Sequence, residues 1–134
     1  MEVVMKRVML LLIIALPMLL GFTPAQRHTE SATKEVAVVE FTDKTKLGEA
    51  ILFGNYYFEH DDSRMARGEP CMYIYSYEGG KQGKLIVSFH CTAVERPKAR
   101  DVILTLLMTS SPDVLLLKEI QFKGSTKGHL VPGV

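Results

Sequence analysis

The stretch that decides the fold reads Cys71-Met-Tyr-Ile-Tyr-Ser-Tyr77, then Glu78-Gly-Gly-Lys-Gln-Gly83, then Lys84-Leu-Ile-Val-Ser-Phe-His-Cys91. Its two arms are rich in aromatic and β-branched residues, and the glycines between them are typical of a chain reversal. The stretch therefore predicts a single β-hairpin. If its turn is centred on Lys81, Cys71 lies directly opposite Cys91.

The same register pairs aromatic and apolar residues across the hairpin. Tyr73 faces Phe89 and Tyr75 faces Val87, and all four share one face of the sheet with the two cysteines, because side chains alternate along a strand. This is the more apolar face, so we expect it to be the core side. A stacking platform for a sugar or an aromatic ligand is the alternative, but tyrosines at alternate positions favour packing.

The N-terminus has the three parts of a secretory signal. Lys6 and Arg7 are followed by an apolar run from Val8 to Leu20, and small residues up to Ala25 provide a cleavage site. The run is shorter than the ~20 residues that span a bilayer. We therefore predict that residues 1–25 are a signal peptide and that the protein is exported to the periplasm or the extracellular space. An uncleaved segment that anchors the chain to the membrane is the alternative.

Export bears directly on the two cysteines. Thiols that reach an oxidising compartment tend to pair, so the sequence predicts a Cys71–Cys91 disulfide at the open end of the hairpin. A bridge across a loop of this length contributes about 3 kcal/mol to stability. Two buried free thiols are the alternative.

The rest of the chain fits one domain. We expect a flexible linker at residues 26–34 and a single β-rich domain at residues 35–132. Outside the signal the basic and acidic residues are equal in number, so the domain has no electrostatic reason to bind nucleic acid. Contact with a membrane is expected only through the signal segment, and the sequence indicates no specific partner.

Short strand-like runs with turn residues between them recur along this domain. They lie at residues 35–41, 47–53, 56–60, 101–108 and 114–122, in addition to the two hairpin arms. Turns are expected at 43–46 and at Gly54–Asn55, and residues 123–134 show no periodicity. The run 101–108 could also form a short helix, but a strand is favoured. About seven short strands predict an all-β fold, an antiparallel β-sandwich or small barrel, preceded by an N-terminal signal helix.

A scattered set of histidines and cysteines is the first candidate site. His60, His90 and His129 follow or flank predicted strands, and Cys71 and Cys91 lie nearby. Imidazole and thiolate are ligands of zinc and copper. No CxxC, HxH or HExxH spacing is present, and cysteines in a disulfide cannot also be thiolate ligands. The metal hypothesis therefore uses His60, His90 and His129, with zinc or copper as the ion.

A second candidate site is the polar segment that contains His60, Asp61 and Arg64. An aspartate can orient a neighbouring imidazole, and an arginine can bind a carboxylate or phosphate. Such a composition is equally typical of a solvated connection between strands. No nucleophile and base are fixed by the spacing, so hydrolysis is the weakest of the functional hypotheses.

Several segments resemble an uncharacterised family of small exported bacterial proteins. They are Gly54-Asn-Tyr-Tyr-Phe-Glu-His-Asp61, Arg64-Met-Ala-Arg-Gly-Glu-Pro-Cys71, Phe89-His-Cys91 and Ile120-Gln-Phe-Lys-Gly-Ser-Thr-Lys-Gly-His-Leu-Val-Pro132. The resemblance implies a signal peptide plus one compact β-rich domain that includes His129. No activity is established for this group, so it implies no catalytic residue.

These observations rank three functions. We expect an exported, non-enzymatic β-domain with a binding or structural, envelope-associated role. A periplasmic zinc- or copper-binding protein is the alternative, and a small hydrolase built around His60 and Asp61 is the third.

Overall fold

The computed structural model describes residues 33–134. The elements are β1 (Lys34–Leu47), β2 (Ala50–Asp61), α1 (Asp62–Ala66), β3 (Met72–Glu78), β4 (Lys81–Phe89), β5 (Thr92–Glu95), β6 (Ile103–Met108), β7 (Leu115–Gln121) and β8 (Lys127–Leu130). The predicted signal peptide, and most of the predicted linker, lie outside the described residues. Within residues 33–134 no helix is long and apolar enough to cross a membrane.

The eight strands form one sheet, which confirms the prediction of a β-rich fold. The strand order is β4-β3-β2-β1-β7-β8-β5, and β6 pairs with β7. The β1–β7 pair is parallel, whereas the other pairs are antiparallel. In the described part of the chain the sheet is mixed and open rather than closed into a barrel, so it differs from the purely antiparallel sandwich or barrel that we expected.

Strands β1 and β2 form a hairpin that is longer than predicted. Its turn lies at Gly48, which has a φ of 60°. Phe41 pairs with Gly54 and Thr45 pairs with Leu52, so three residues of β1 oppose one residue of β2. This bulge absorbs most of the segment that looked like a turn at 43–46, and β2 continues through the expected turn at Gly54–Asn55. Both predicted turns are therefore wrong.

The register of the β3–β4 hairpin also differs from the prediction, and the turn is the cause. Glu78 pairs with Lys81, so the loop consists of Gly79 and Gly80 alone. Their φ values of 57° and 76° match a two-residue type I′ turn, which requires positive φ at both positions. The turn therefore lies before Lys81 instead of being centred on it. Two irregularities in the ladder, on either side of Tyr75, offset part of this change, so that from Ile74 to Met72 the pairing is one residue away from the expected register.

A shift of one residue exchanges the two faces of a strand. Ile74 pairs with Val87 and is fully buried, as is Met72, whereas Tyr73 pairs with Ser88. The tyrosines consequently lie on the outer face of the sheet, where the Arg64 guanidinium lies 4.2 Å from the centre of the Tyr73 ring. The expectation that the tyrosines lie on the core side is wrong, although Cys71, Val87 and Phe89, which were expected on the same face, do lie in the core or pack against it.

The predicted disulfide is present at the open end of this hairpin. The β3–β4 ladder ends at the Met72–Phe89 pair. The next residue, His90, is exposed, and Cys91 after it forms a disulfide bond with Cys71. The two Cα atoms are 6.2 Å apart. The cysteines are therefore bridged although they do not oppose each other within the ladder.

Two short strands were not predicted from the sequence. β5 and β8 pair with each other over four residues each, and β8 also pairs with β7. β8 lies in the Gly-rich tail, where no periodicity was expected. The run at 101–108 forms β6, as favoured from the sequence.

The inner faces of the strands close over one core. His60 of β2 lies 6.4 Å from Phe122, which follows β7, and 3.9 Å from His129 of β8, measured between ring centres. The core is formed by Val39, Phe41, Leu47, Leu52, Phe58, Cys71, Met72, Ile74, Leu117, Ile120, Phe122 and Val131. The histidines thus lie at the edge of an apolar core.

The hairpin register can be tested with two neighbouring substitutions. Ile74→Ala removes a fully buried side chain and should lower the free energy of unfolding by about 2–5 kcal/mol. Tyr75→Ala removes a half-exposed ring on the outer face and should cost roughly 1 kcal/mol. Urea unfolding of both variants measures the difference, and a larger loss for Tyr75→Ala would contradict the observed register.

Candidate metal centre

His60 lies at the end of β2, on its inner face. Side chains alternate along the strand, so His60 shares this face with Leu52 and Phe58, both of which are fully buried. The imidazole is itself only 2% exposed. The position therefore places a titratable ring where an apolar side chain would be expected.

His129 reaches the same place from β8. It pairs with Ile120 of β7 and Ala93 of β5, and its side chain is also 2% exposed. Its ring stacks on that of His60, with the ring centres 3.9 Å apart and the planes inclined by 29°. Phe122 contacts the pair edge-on from the core side, 5.9 Å from His129 between ring centres. Two imidazoles from distant parts of the chain are therefore held in contact.

Glu35 completes the cluster from β1. It pairs with His60 in the β1–β2 ladder, so the two side chains project from the same face. One carboxylate oxygen, Oε1, lies 3.5 Å from His60 Nδ1 and 3.4 Å from His129 Nε2. The polar contact with His129, followed by that with His60, lowers the pKa of the Glu35 carboxyl to about 2, although partial burial acts in the opposite direction. Glu35 is therefore ionised at neutral pH.

The imidazole nitrogens of this cluster lack hydrogen-bond partners. Among the described residues, His60 Nδ1, His60 Nε2 and His129 Nε2 are buried and make no hydrogen bond, because the contacts with Glu35 are longer than the 2.7–3.2 Å of a normal one. A buried polar atom left without a partner costs about 1–3 kcal/mol. Three such atoms on two stacked rings, two of them next to one carboxylate, require an explanation.

The two separations from Glu35 Oε1 fit ligands of a metal ion better than a hydrogen bond. In a tetrahedral zinc site with bonds of about 2.0–2.2 Å to nitrogen and oxygen, neighbouring ligand atoms lie roughly 3.3–3.5 Å apart. Glu35 Oε1 lies at 3.5 Å and 3.4 Å from the two imidazole nitrogens. Asp62 Oδ1, 3.7 Å from His60 Nδ1, adds a second negative charge beside the same ring.

A sulfur atom lies on the other side of the His129 ring. Cys91 Sγ is 3.8 Å from His129 Nδ1, and donor atoms of His60, Cys91 and His129 all lie within 4.8 Å of one another. In the described structure this sulfur is bonded to Cys71, so it is not a thiolate. The oxidised protein therefore offers a carboxylate and two imidazoles.

The remaining predicted site residues lie elsewhere. His90, which the metal hypothesis placed with His60 and His129, is exposed and is not part of the donor group. Asp61 caps helix α1, because its Oδ1 accepts hydrogen bonds from the backbone N–H and the hydroxyl of Ser63. Arg64 packs on Tyr73 and lies 3.7 Å from Asp61.

These placements give hydrolysis no geometric support. A general base must reach a substrate, but His60 is buried and its neighbour Asp61 is engaged in capping. A surface hollow of the described residues lies at the β1 bulge, where Asp43, Phe53 and Asp113 are among its lining residues. Neither His60 nor Asp61 lines it.

Glu35 is a member of the site that the sequence patterns did not predict. A signal was present, since Glu35 begins the alternating row that continues through Ala37, Val39 and Phe41, and this row faces the core. A carboxylate at the start of an apolar row needs a partner if it is not exposed. Identifying that partner required the β1–β2 register.

No protein-family model, no curated protein and no solved structure matches this chain significantly. The resemblance to small exported bacterial proteins therefore stays a prediction. The fold and the cluster of Glu35, His60 and His129 are the observations on which a function has to be argued.

Proposed function

We propose that this protein is an exported metal-binding domain that holds one Zn²⁺ or Cu²⁺ ion between Glu35, His60 and His129. The observation that carries the proposal is the set of buried, unpartnered imidazole nitrogens around an ionised carboxylate. Imidazole and carboxylate suit both ions. The proposal replaces the His90 of the sequence-based hypothesis by Glu35.

The energetics favour a bound cation. Each buried imidazole nitrogen without a partner is costly, and the cluster contains three of them. A divalent ion accepts a lone pair from each ring and neutralises Glu35 at the same time. Metal binding would thus remove a penalty that the apolar core cannot remove by itself.

Hydrogen bonding without a metal is the competing arrangement. Each neutral imidazole carries one N–H, so a proton on His60 Nδ1 and one on His129 Nε2 would both point at Glu35 Oε1. The separations of 3.5 Å and 3.4 Å are longer than an ordinary hydrogen bond and match those of neighbouring ligands of one ion. A measurement of metal binding distinguishes the two cases directly.

The architecture also limits what a bound ion could do. The Glu35 side chain is 22% exposed, while those of both histidines are 3% exposed, so the carboxylate is the more accessible of the three ligands. Deeply buried imidazoles suit the retention of an ion better than the binding of a substrate.

Metal titration of the oxidised protein, prepared without an affinity tag of histidines, tests the proposal. We expect one equivalent of Zn²⁺ or Cu²⁺ to bind and to raise the melting temperature, because a ligand that binds only the folded state stabilises it. Glu35→Gln and His129→Gln should weaken binding by more than the roughly 10–100-fold that loss of an outer-shell partner causes. His90→Gln, at an exposed histidine outside the cluster, is the matched control and should bind normally.

Binding of less than about 0.1 equivalent of either ion, with no change in melting temperature, would overturn the proposal. Equal loss of binding in His90→Gln and His129→Gln would overturn the assignment of the site.

A second prediction concerns the metal-free protein. His60→Leu supplies an apolar side chain of similar volume, so it should abolish metal binding without lowering the free energy of unfolding, and it could raise that free energy by up to about 1–3 kcal/mol. Urea unfolding in the presence of a chelator measures this. Destabilisation by more than about 2 kcal/mol would mean that the imidazole is a structural partner rather than a ligand.

A further inference from the structure

The disulfide lies in contact with the metal cluster, and this suggests how the site is regulated. Cys91 Sγ lies 3.8 Å from His129 Nδ1, and His129 Nε2 lies on the Glu35 side, 3.4 Å from Oε1. The two nitrogens of one ring therefore face two different partners, a carboxylate and a sulfur. The sulfur can bind a metal ion only when the disulfide is reduced, because only a thiolate is a ligand.

We propose that the Cys71–Cys91 disulfide is a redox gate on the ligand set of the metal site. When the bridge is intact the ligands are Glu35, His60 and His129. When it is reduced, the Cys91 thiolate and the two histidines form a donor set in which His129 coordinates through Nδ1 instead of Nε2, and this thiolate–imidazole centre has higher affinity for Zn²⁺ and for Cu⁺. The inference rests on the proposed function, which it extends from binding to redox control of binding.

The distances support Cys91 as a ligand. With a Zn–S bond of about 2.3 Å and a Zn–N bond of about 2.0–2.1 Å, the sulfur and nitrogen of a tetrahedral site lie roughly 3.6 Å apart. The observed 3.8 Å is close to this value, and the donor atoms of His60, Cys91 and His129 are mutually within 4.8 Å. Cys71 does not belong to this group and is buried in the core at 1% exposure.

The exposure of the two cysteines determines how the bridge would open. Cys91 is partly exposed and Cys71 is buried, so a dithiol reductant would attack the Cys91 sulfur. The S–S bond breaks, Cys71 leaves as a thiolate and takes up a proton, and a mixed disulfide forms at Cys91. The second thiol of the reductant then attacks the reductant's sulfur in the mixed disulfide, which closes the reductant's disulfide and releases Cys91 as a thiolate that takes up a proton.

Electrons and protons are conserved in this reduction. The two cysteines gain two electrons and two protons, and the dithiol becomes a disulfide. The metal ion then displaces one proton from the Cys91 thiol as the Sγ–metal bond forms, since thiolate rather than thiol is the ligand.

Two variants provide a matched test. Cys71→Ser and Cys91→Ser remove the same cross-link, but only Cys71→Ser leaves a thiol beside the histidines. With Co²⁺ as the probe, we expect a thiolate-to-cobalt charge-transfer band in Cys71→Ser and none in Cys91→Ser. In competition for Zn²⁺, Cys71→Ser should bind at least about tenfold more tightly than Cys91→Ser.

The outcomes separate the two proposals. Zn²⁺ binding by the oxidised wild type, combined with no charge-transfer band in Cys71→Ser, would overturn the redox gate and leave the metal site in place. A band in Cys91→Ser would assign the sulfur ligand to Cys71 and would also overturn the gate. Failure of oxidised and reduced protein alike to bind Zn²⁺ would overturn both proposals.

Loss of folding in either variant would not prevent the test. Wild-type protein reduced with a phosphine can be compared with the oxidised protein in the same Co²⁺ titration. The charge-transfer band should appear only after reduction. Identical spectra before and after reduction, with thiol titration showing that the bridge has opened, would contradict the proposal.

Discussion

Strand β1 belongs to both parts of the sheet, and the position of every site residue depends on it. It pairs with β2 up to Phe41, passes through an irregular stretch, and from Thr45 pairs with β2 and, in parallel, with β7. His60 and His129 come from β2 and β8, which are not neighbours in the sheet, yet their rings are in contact. They meet because the inner faces on either side of β1 close over one core.

The cluster places polar groups where apolar packing would be more stable. Phe122 and Phe58 belong to the core, and the two histidines, His60 and His129, are buried to nearly the same extent as these phenylalanines. Natural cores rarely keep unpartnered imidazoles, because a leucine of similar volume avoids the cost of an unsatisfied nitrogen. A ligand that neutralises Glu35 and coordinates both rings accounts for this exception. The disulfide beside His129 connects the same site to the redox state of its surroundings.

The sequence predicts the class of fold and the disulfide, but neither the register nor the site. Alternation of apolar residues finds most strands, because it reports local burial, and the cysteine pair needs only a hairpin and an oxidising compartment. The register depends on whether Gly79–Gly80 or Lys81 forms the turn and on two irregularities in the β3–β4 ladder, and a net shift of one residue at the open end exchanges the two faces. Glu35, Cys91 and His129 are brought together by β1–β2 pairing and by β8, a strand without a recognisable pattern. Non-local contacts of this kind leave no periodic signal.

Two particular nitrogens, His60 Nδ1 and His129 Nε2, are proposed to bind a metal ion together with Glu35. Long-range ¹H–¹⁵N NMR of the imidazole rings tests this, because it distinguishes neutral, protonated and metal-bound nitrogens. With one equivalent of Zn²⁺ added to the oxidised protein, these two nitrogens should become metal-bound while both nitrogens of His90 are unchanged. A proton that stays on either nitrogen, with a spectrum that does not respond to Zn²⁺, would contradict the proposed site.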